Sequence, residues 1–152
     1  MKLAVRPIRD SEHPLVLDSW TRHFDAPTRH YMRIGGESRI ASWAWYEMHR
    51  DWVRARLPSM SVLVATLAGH DEPLGWVAVT MPDAQHPLVV HYAFVLKLAR
   101  GKGVGRELMR VAHLLADGRP ARYSHMTSDG RRLIDGMARE QTSSIAGEVA
   151  VT

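Results

Sequence analysis

Val95-Leu96-Lys97-Leu98-Ala99-Arg100-Gly101-Lys102-Gly103-Val104-Gly105-Arg106-Glu107-Leu108 runs from an apolar strand end, through a basic glycine-rich turn, into a helix. Val104, Leu108, Val111, Ala112 and Leu115 fall at i, i+4, i+7, i+8 and i+11, one stripe of a 3.6-residue helix. Gly118 is a natural stop for it. Glycines let backbone N–H groups come close to a ligand, and the helix N-terminus adds about half a positive charge aimed the same way. Arg100, Lys102 and Arg106 add full charges beside the turn. Such a device binds a phosphate group. It is not a P-loop, because no G-x-x-x-x-G-K-[ST] is present. Nor is it the dinucleotide fingerprint, because Gly101, Gly103 and Gly105 read G-x-G-x-G behind a run of hairpin strands.

Upstream of the turn, three strands are expected at Ser61 to Leu67, Leu74 to Met81 and Leu88 to Leu96. The short connections make antiparallel hairpins the economical arrangement. Before them, a strand at Lys2 to Arg9 leads to a helix starting near Glu12, capped by Asp10 or Ser11 and ending before Pro27. Gly35-Gly36 breaks the chain, and a longer helix runs from Glu37 to about Leu57, where Pro58 stops it. Downstream, a strand is expected at Ala121 to Thr127 and a helix at Asp129 to Arg139, weakened by about 1 kcal/mol at each of Gly130 and Gly136. Residues 1–140 then form one domain, and 141–152 a polar tail with one last strand expected at Glu148 to Val151. The order β-α-α-β-β-β-α-β-α gives an α/β fold: a mixed, largely antiparallel central sheet flanked by helices.

The 152 residues are enough for one core, and 45% of them are apolar. There is no cysteine, which excludes disulfides, thiolate metal sites and a cysteine nucleophile together. No membrane span and no signal peptide are read, so a soluble, cytoplasmic protein is expected. The nine histidines are scattered without ligand spacing, so no metal site is expected. The net charge of +4 favours anionic partners, nucleic acid and a CoA thioester among them.

The turn Arg100-x-x-Gly103-x-Gly105, with the apolar pair Phe94-Val95 before it, resembles that of the GNAT family, the Gcn5-related N-acetyltransferases. The resemblance covers roughly Val62 to Met137, and the element order agrees with it. It implies acetyl-CoA as cofactor and an amine-bearing acceptor. It also implies that the backbone of Phe94, Val95 and Leu96 pairs with the pantetheine arm. The turn of Arg100, Gly101, Lys102, Gly103, Val104 and Gly105, with Arg106, would wrap the pyrophosphate. Many members have an asparagine after the next strand and a tyrosine in the last helix to protonate the leaving thiolate. The stretch from Ser128 to Arg139 has neither, so Tyr123 and Ser124 are the candidate substitutes, and Tyr123 equally suits a buried tyrosine that satisfies a hydrogen bond. A looser similarity to small GNAT-like proteins of tailed phages runs through Asp18-Ser19-Trp20, His91-Tyr92-Ala93-Phe94-Val95 and Tyr123-Ser124-His125. Some of those, the Mom type, modify DNA bases. A module that binds CoA without turnover is a third reading.

His91 lies four residues before Val95 on one strand, so both side chains are expected on one face, where the histidine suits a general base. It equally suits a histidine satisfied in the core. In the second helix, Ile40, Ala41, Ala44, Trp45, Met48, Trp52 and Ala55 form the expected core face. Trp43 and Tyr46 then fall opposite, among Arg39, Arg50 and Arg54. Rings interleaved with arginines suit stacking on nucleic-acid bases, a protein interface such as that of a homodimer, local packing under a loop, or a small-molecule pocket.

Overall fold

The computed structural model describes residues 1–23, 42–124, 126 and 128–149, the side chains of 42–45 and 141–149 excepted. Strand β1 (Leu3–Pro7) is followed by a 3-10 turn (Asp10–Glu12), helix α1 (His13–His23), helix α2 (Ser42–Arg56) and strands β2 (Ser61–Leu67), β3 (Gly75–Thr80) and β4 (Val89–Val95). Helix α3 (Val104–Leu114), a two-residue strand β5 (Arg122–Tyr123) and helix α4 (Ser128–Val149) complete the order. The sheet order is β1-β2-β3-β4-β5, antiparallel except where β5 runs parallel to β4. Fold class and hairpins are as the sequence predicts. Among the described residues no helix is long and apolar enough to cross a membrane.

Period-two alternation gives the sheet two apolar faces. Ala65, Val77 and Val79 pack against Val104, Leu108, Met109 and Ala112 of α3. On the other face Val62, Val64, Trp76 and Ala78 pack against Val16 and Trp20 of α1 and Val53 of α2. In β4 the alternation breaks. Val90 belongs to the α3 face, whereas Tyr92 and Phe94, of the same parity, belong to the α1 face. The register explains it: Ala78 opposes Tyr92 and Val79 opposes Val90, leaving His91 as an extra residue in β4. That is a β-bulge, which bends its strand and re-aims the side chains beyond it.

Several expectations need correction. The turn into α1 is fixed by Glu12, which accepts from the Arg9 N–H at 2.9 Å and from two Arg6 nitrogens, rather than by a capping Asp10 or Ser11. The Arg6 guanidinium holds the Glu12 carboxyl down at about 2. The expected core face of α2 is also wrong in phase. Met48 and Trp52 are 52% and 41% exposed and Ala55 is exposed, while Val53 is buried. The inward stripe is Tyr46, His49, Arg50, Val53 and Leu57. Residue type misleads there, because Arg50 faces the core boundary by pairing with Asp18 at 2.8 Å. The start of this helix at Glu37, and the end of the first one before Pro27, lie outside the described residues. Lastly, α4 continues through Val149, so Glu148 and Val149 are helical, not the start of a strand. Its inward residues Leu133, Ile134 and Met137 anchor it on the α3-side core, which outweighs the cost of its glycines.

Gly75 of β3 lies opposite Val95 of β4, with no room for a side chain between the strands. A Cβ there would sit 2.6 Å from the Phe94 carbonyl oxygen and 3.2 Å from Val104 Cγ1. Gly75→Ala is expected to cost about 1–3 kcal/mol, as overpacking does. Urea unfolding would show it as a lower midpoint at unchanged slope, and an unshifted midpoint would contradict the close approach.

Candidate active site

Strands β4 and β5 pair only at Val89↔Arg122 and Val90↔Tyr123. Beyond the bulge they part, and a cleft of about 800 Å³ opens between them. Its walls are β4 from Val90 to Val95, the turn and first half of α3, Tyr123 and Met126, and the first turns of α4 around Asp129, Leu133 and Ile134.

The cleft edge of β4 carries unused peptide groups. Leu96 N–H donates to Leu74 O at 2.9 Å, which sets the alternation of the β3–β4 ladder. By that alternation Phe94 and Tyr92 also turn their peptides to β3. The peptides of Ala93 and Val95 turn to the open side. Val95 O indeed accepts from Arg100 Nε at 3.1 Å. Of the three expected residues, Val95 presents its peptide to the open side, with Ala93 beside it, while the Leu96 N–H is held by Leu74 O and Phe94 turns to β3 by the alternation.

At the head of the cleft Gly101 and Gly103 have φ of +73° and +83°, a region glycine enters freely. Gly103 is the N-cap of α3 and no side chain caps it. The amides of Val104, Gly105 and Arg106 precede the first intrahelical bond, Glu107 N–H to Gly103 O at 3.0 Å. Val104 is buried, whereas Arg100, Gly101, Lys102 and Gly103 are exposed. Gly105 packs on Leu133 and Val95 at distances where a Cβ would make ordinary contact. Arg106 reaches across to α4 and donates to both oxygens of Glu140, at 2.7 and 2.9 Å.

His91, the bulge residue, lines the cleft half-buried. Its Nε2 lies 2.7 Å from Thr80 Oγ1 on β3 and its Nδ1 3.0 Å from Ser124 Oγ, just past β5. Burial pushes the imidazole below its ordinary pKa. Two of the expected catalytic residues thus meet. The third is apart from them: the Tyr123 hydroxyl lies 2.7 Å from His113 Nε2 on α3. Burial raises the Tyr123 phenol and lowers His113, so both stay neutral near pH 7.

The proposed acceptor surface is not assembled as the sequence suggests. Tyr46 and Arg50 are bonded to each other at 3.0 Å, and Arg50 to Asp18, on the side of α2 that meets α1. Arg39 and the Trp43 side chain lie outside the described residues. Sequence reading also missed Thr80 and His113, whose partners lie on other elements, and His23, which stacks on Phe94 with centroids 5.0 Å apart. The signal for Thr80 was its pairing with Val89, but a bulge that offsets the register cannot be read from one strand.

A bulged strand parting from its parallel neighbour, with a glycine turn and a free helix N-terminus at its end, is the geometry that the sequence comparison meets. The family model described as "Acetyltransferase (GNAT) family" matches residues 17–127. The chain belongs to the GNAT family. Its fold is also that of solved GNAT proteins. One, a GCN5-related N-acetyltransferase from Ralstonia eutropha JMP134, matches at TM-score 0.60 and 22% identity, over 89% of this chain and 90% of that one. Another, "histone acetyltransferase HPA2 and related acetyltransferase" from Corynebacterium glutamicum ATCC 13032, matches at TM-score 0.65 and 15% identity, over 90% and 84%. A ribosomal-protein-alanine N-acetyltransferase from Brucella melitensis biovar Abortus 2308 matches at TM-score 0.51 and 18% identity, over 88% and 87%. At these identities the likeness speaks for the fold. A search of curated proteins finds no match.

Two half-buried histidines, one lining the cleft and one on α3, give the stability a sign with pH. His91 and His113 are held below the ordinary value of 6.5 that the unfolded chain regains. As pH falls through 6.5 the unfolded chain binds their protons first. Stability from these groups is therefore complete above 6.5 and is lost as pH drops towards the folded values. Denaturant midpoints measured from pH 7.5 down to 5.5 should fall, and His91→Asn should fall less steeply. An equal slope in both proteins would contradict the burial of His91.

Proposed function

We propose that this chain is an N-acetyltransferase that moves an acetyl group from acetyl-CoA to an amine-bearing acceptor by direct displacement. The observation that carries the reading is the meeting, in one cleft, of a β4 edge left unpaired by β5 and the glycine-lined N-terminus of α3, which no side chain caps. The residues fit the cofactor. The Val95 and Ala93 peptides are turned to the side where a pantetheine arm, itself a row of amides, can pair with them. The amides of the turn from Gly101 to Gly105 and the charges of Arg100, Lys102 and Arg106 would hold the pyrophosphate.

Bound acetyl-CoA supplies a thioester whose carbonyl carbon is open to a neutral amine. The protein's part begins with positioning both reactants in the cleft. An N–H on the open edge of β4 stabilises the charge that develops on the acyl oxygen. His91, neutral at pH 7 because burial lowers its pKa, takes the proton that the amine loses. Tyr123, kept protonated by burial, hands a proton to the departing sulfur, and His113 orients its hydroxyl.

Two measurements test this reading. Millimolar CoA should raise the melting temperature by binding the native state, and Gly103→Val should abolish the shift. The valine would be strained at φ of +83°, so far-UV spectra must show the variant folded at the assay temperature. No shift in the wild type would overturn the cofactor assignment. Separately, His91→Ala should lower turnover roughly 10²–10⁴-fold and remove the acidic limb of the pH–rate profile. In the wild type that limb should lie below 6.5, following the lowered His91 pKa.

A further inference from the structure

Both ring nitrogens of His91 are engaged by hydroxyls from two other strands or their ends. Nε2 meets Thr80 Oγ1 at 2.7 Å and Nδ1 meets Ser124 Oγ at 3.0 Å. A neutral imidazole has one N–H and one lone pair, so one hydroxyl must accept from the ring and the other donate to it. The two sides are not equivalent. Thr80 is on β3, away from β5, whereas Ser124 directly follows Tyr123, itself a cleft residue, where the β4–β5 pairing ends. Its backbone N–H donates to Val90 O at 3.0 Å, which fixes the serine beside the bulge. Its side chain is exposed.

We propose that Thr80 locks His91 as the Nε2–H tautomer, and that the Ser124 hydroxyl carries the acceptor's proton to Nδ1. This rests on the reading of His91 as base. In the step, an amine N–H bond breaks as its proton bonds to Ser124 Oγ, and the serine's own proton passes to His91 Nδ1. The amine nitrogen's lone pair forms the bond to the acyl carbon, and the sulfur leaves with the C–S electron pair. Ser124 ends as a hydroxyl and His91 as an imidazolium, donating from Nε2 to Thr80 and from Nδ1 to Ser124, until solvent takes the proton. Thr80 is a positioning residue. Without its acceptor oxygen the ring is free to carry its hydrogen on Nδ1, where the serine would meet a donor instead of a lone pair.

The tautomer is read without any ligand, from ¹⁵N–¹H correlation of the His91 ring in the full chain near pH 8. The wild type should show Nε2–H, Thr80→Val a mixture or Nδ1–H, and Thr80→Ser the wild-type pattern. Turnover is read as thiol release from acetyl-CoA with spermidine, tryptamine and a lysine peptide as probes. Thr80→Val should lower kcat roughly 10-fold or more at unchanged KM, Thr80→Ser should restore it, and Ser124→Ala should cost about 10²-fold. A wild-type Nδ1–H tautomer overturns the proposal, as does a Thr80→Val enzyme unchanged in both tautomer and kcat. If His91→Ala turns over normally, the base assignment falls and the relay with it. An inactive His91→Ala beside undisturbed Thr80 and Ser124 variants overturns the relay alone.

Discussion

One extra residue in β4 sets the geometry of everything around the cleft. Because Ala78↔Tyr92 is followed by Val79↔Val90, the strand changes face at His91. Before the bulge, Val90 fills the α3-side core; after it, Tyr92 and Phe94 join Trp20 and Trp76 in the aromatic core on the other face. Without the insertion the parity would place either Val90 or the two aromatic rings on the wrong face, since a one-residue slip reverses every side chain. The sheet's own packing thus enforces the bulge. The bulge in turn bends β4 away from β5, whose pairing stops after two residues, and the cleft is the space between.

The same bend explains why polar backbone can be left unpaired at the cleft without cost to the core. An open β4 edge, at Ala93 and Val95, would be a liability if it faced an exposed surface. Here α3, α4 and Tyr123 wall it, and the Arg100 side chain occupies one of its acceptors. Helix α3 is oriented by its buried stripe of Val104, Leu108, Met109 and Ala112. Packing therefore aims its N-terminus and places its free amides at the end of that edge.

The turn and α3 were legible in the sequence because their signals are local: glycines at the turn, a five-residue apolar stripe, charges beside them. The hairpins of β2, β3 and β4 were legible because their short connections leave few alternatives. What was lost is what depends on partners distant in the chain. The phase of α2 is set by Arg50 meeting Asp18, so a polar residue sits where periodicity expects an apolar one. The peptide directions of Phe94 and Leu96 follow from the ladder with β3, and the pairing of His91 with Thr80 and Ser124 from the bulge. Helix α4 exceeds its expected end because Leu133, Ile134 and Met137 anchor it; propensity alone, with Gly130 and Gly136 inside, argued for less.

Arg106 is a charge that the phosphate reading needs and that Glu140 already holds. The side chains of the pair are 51% and 60% exposed. An ion pair so placed is worth about 0–1 kcal/mol, because water screens it and two long side chains must be ordered to make it. A phosphate anchored also by backbone amides meets the guanidinium with much of that ordering already done and with a bidentate geometry as good as the carboxylate's. Helix α4 does not depend on the pair, since its apolar residues hold it to the core. Glu140 thus holds Arg106, a cleft residue, at a strength that an anionic ligand can displace. In the proposed enzyme the pair presents the arginine to the cofactor and does not withhold it.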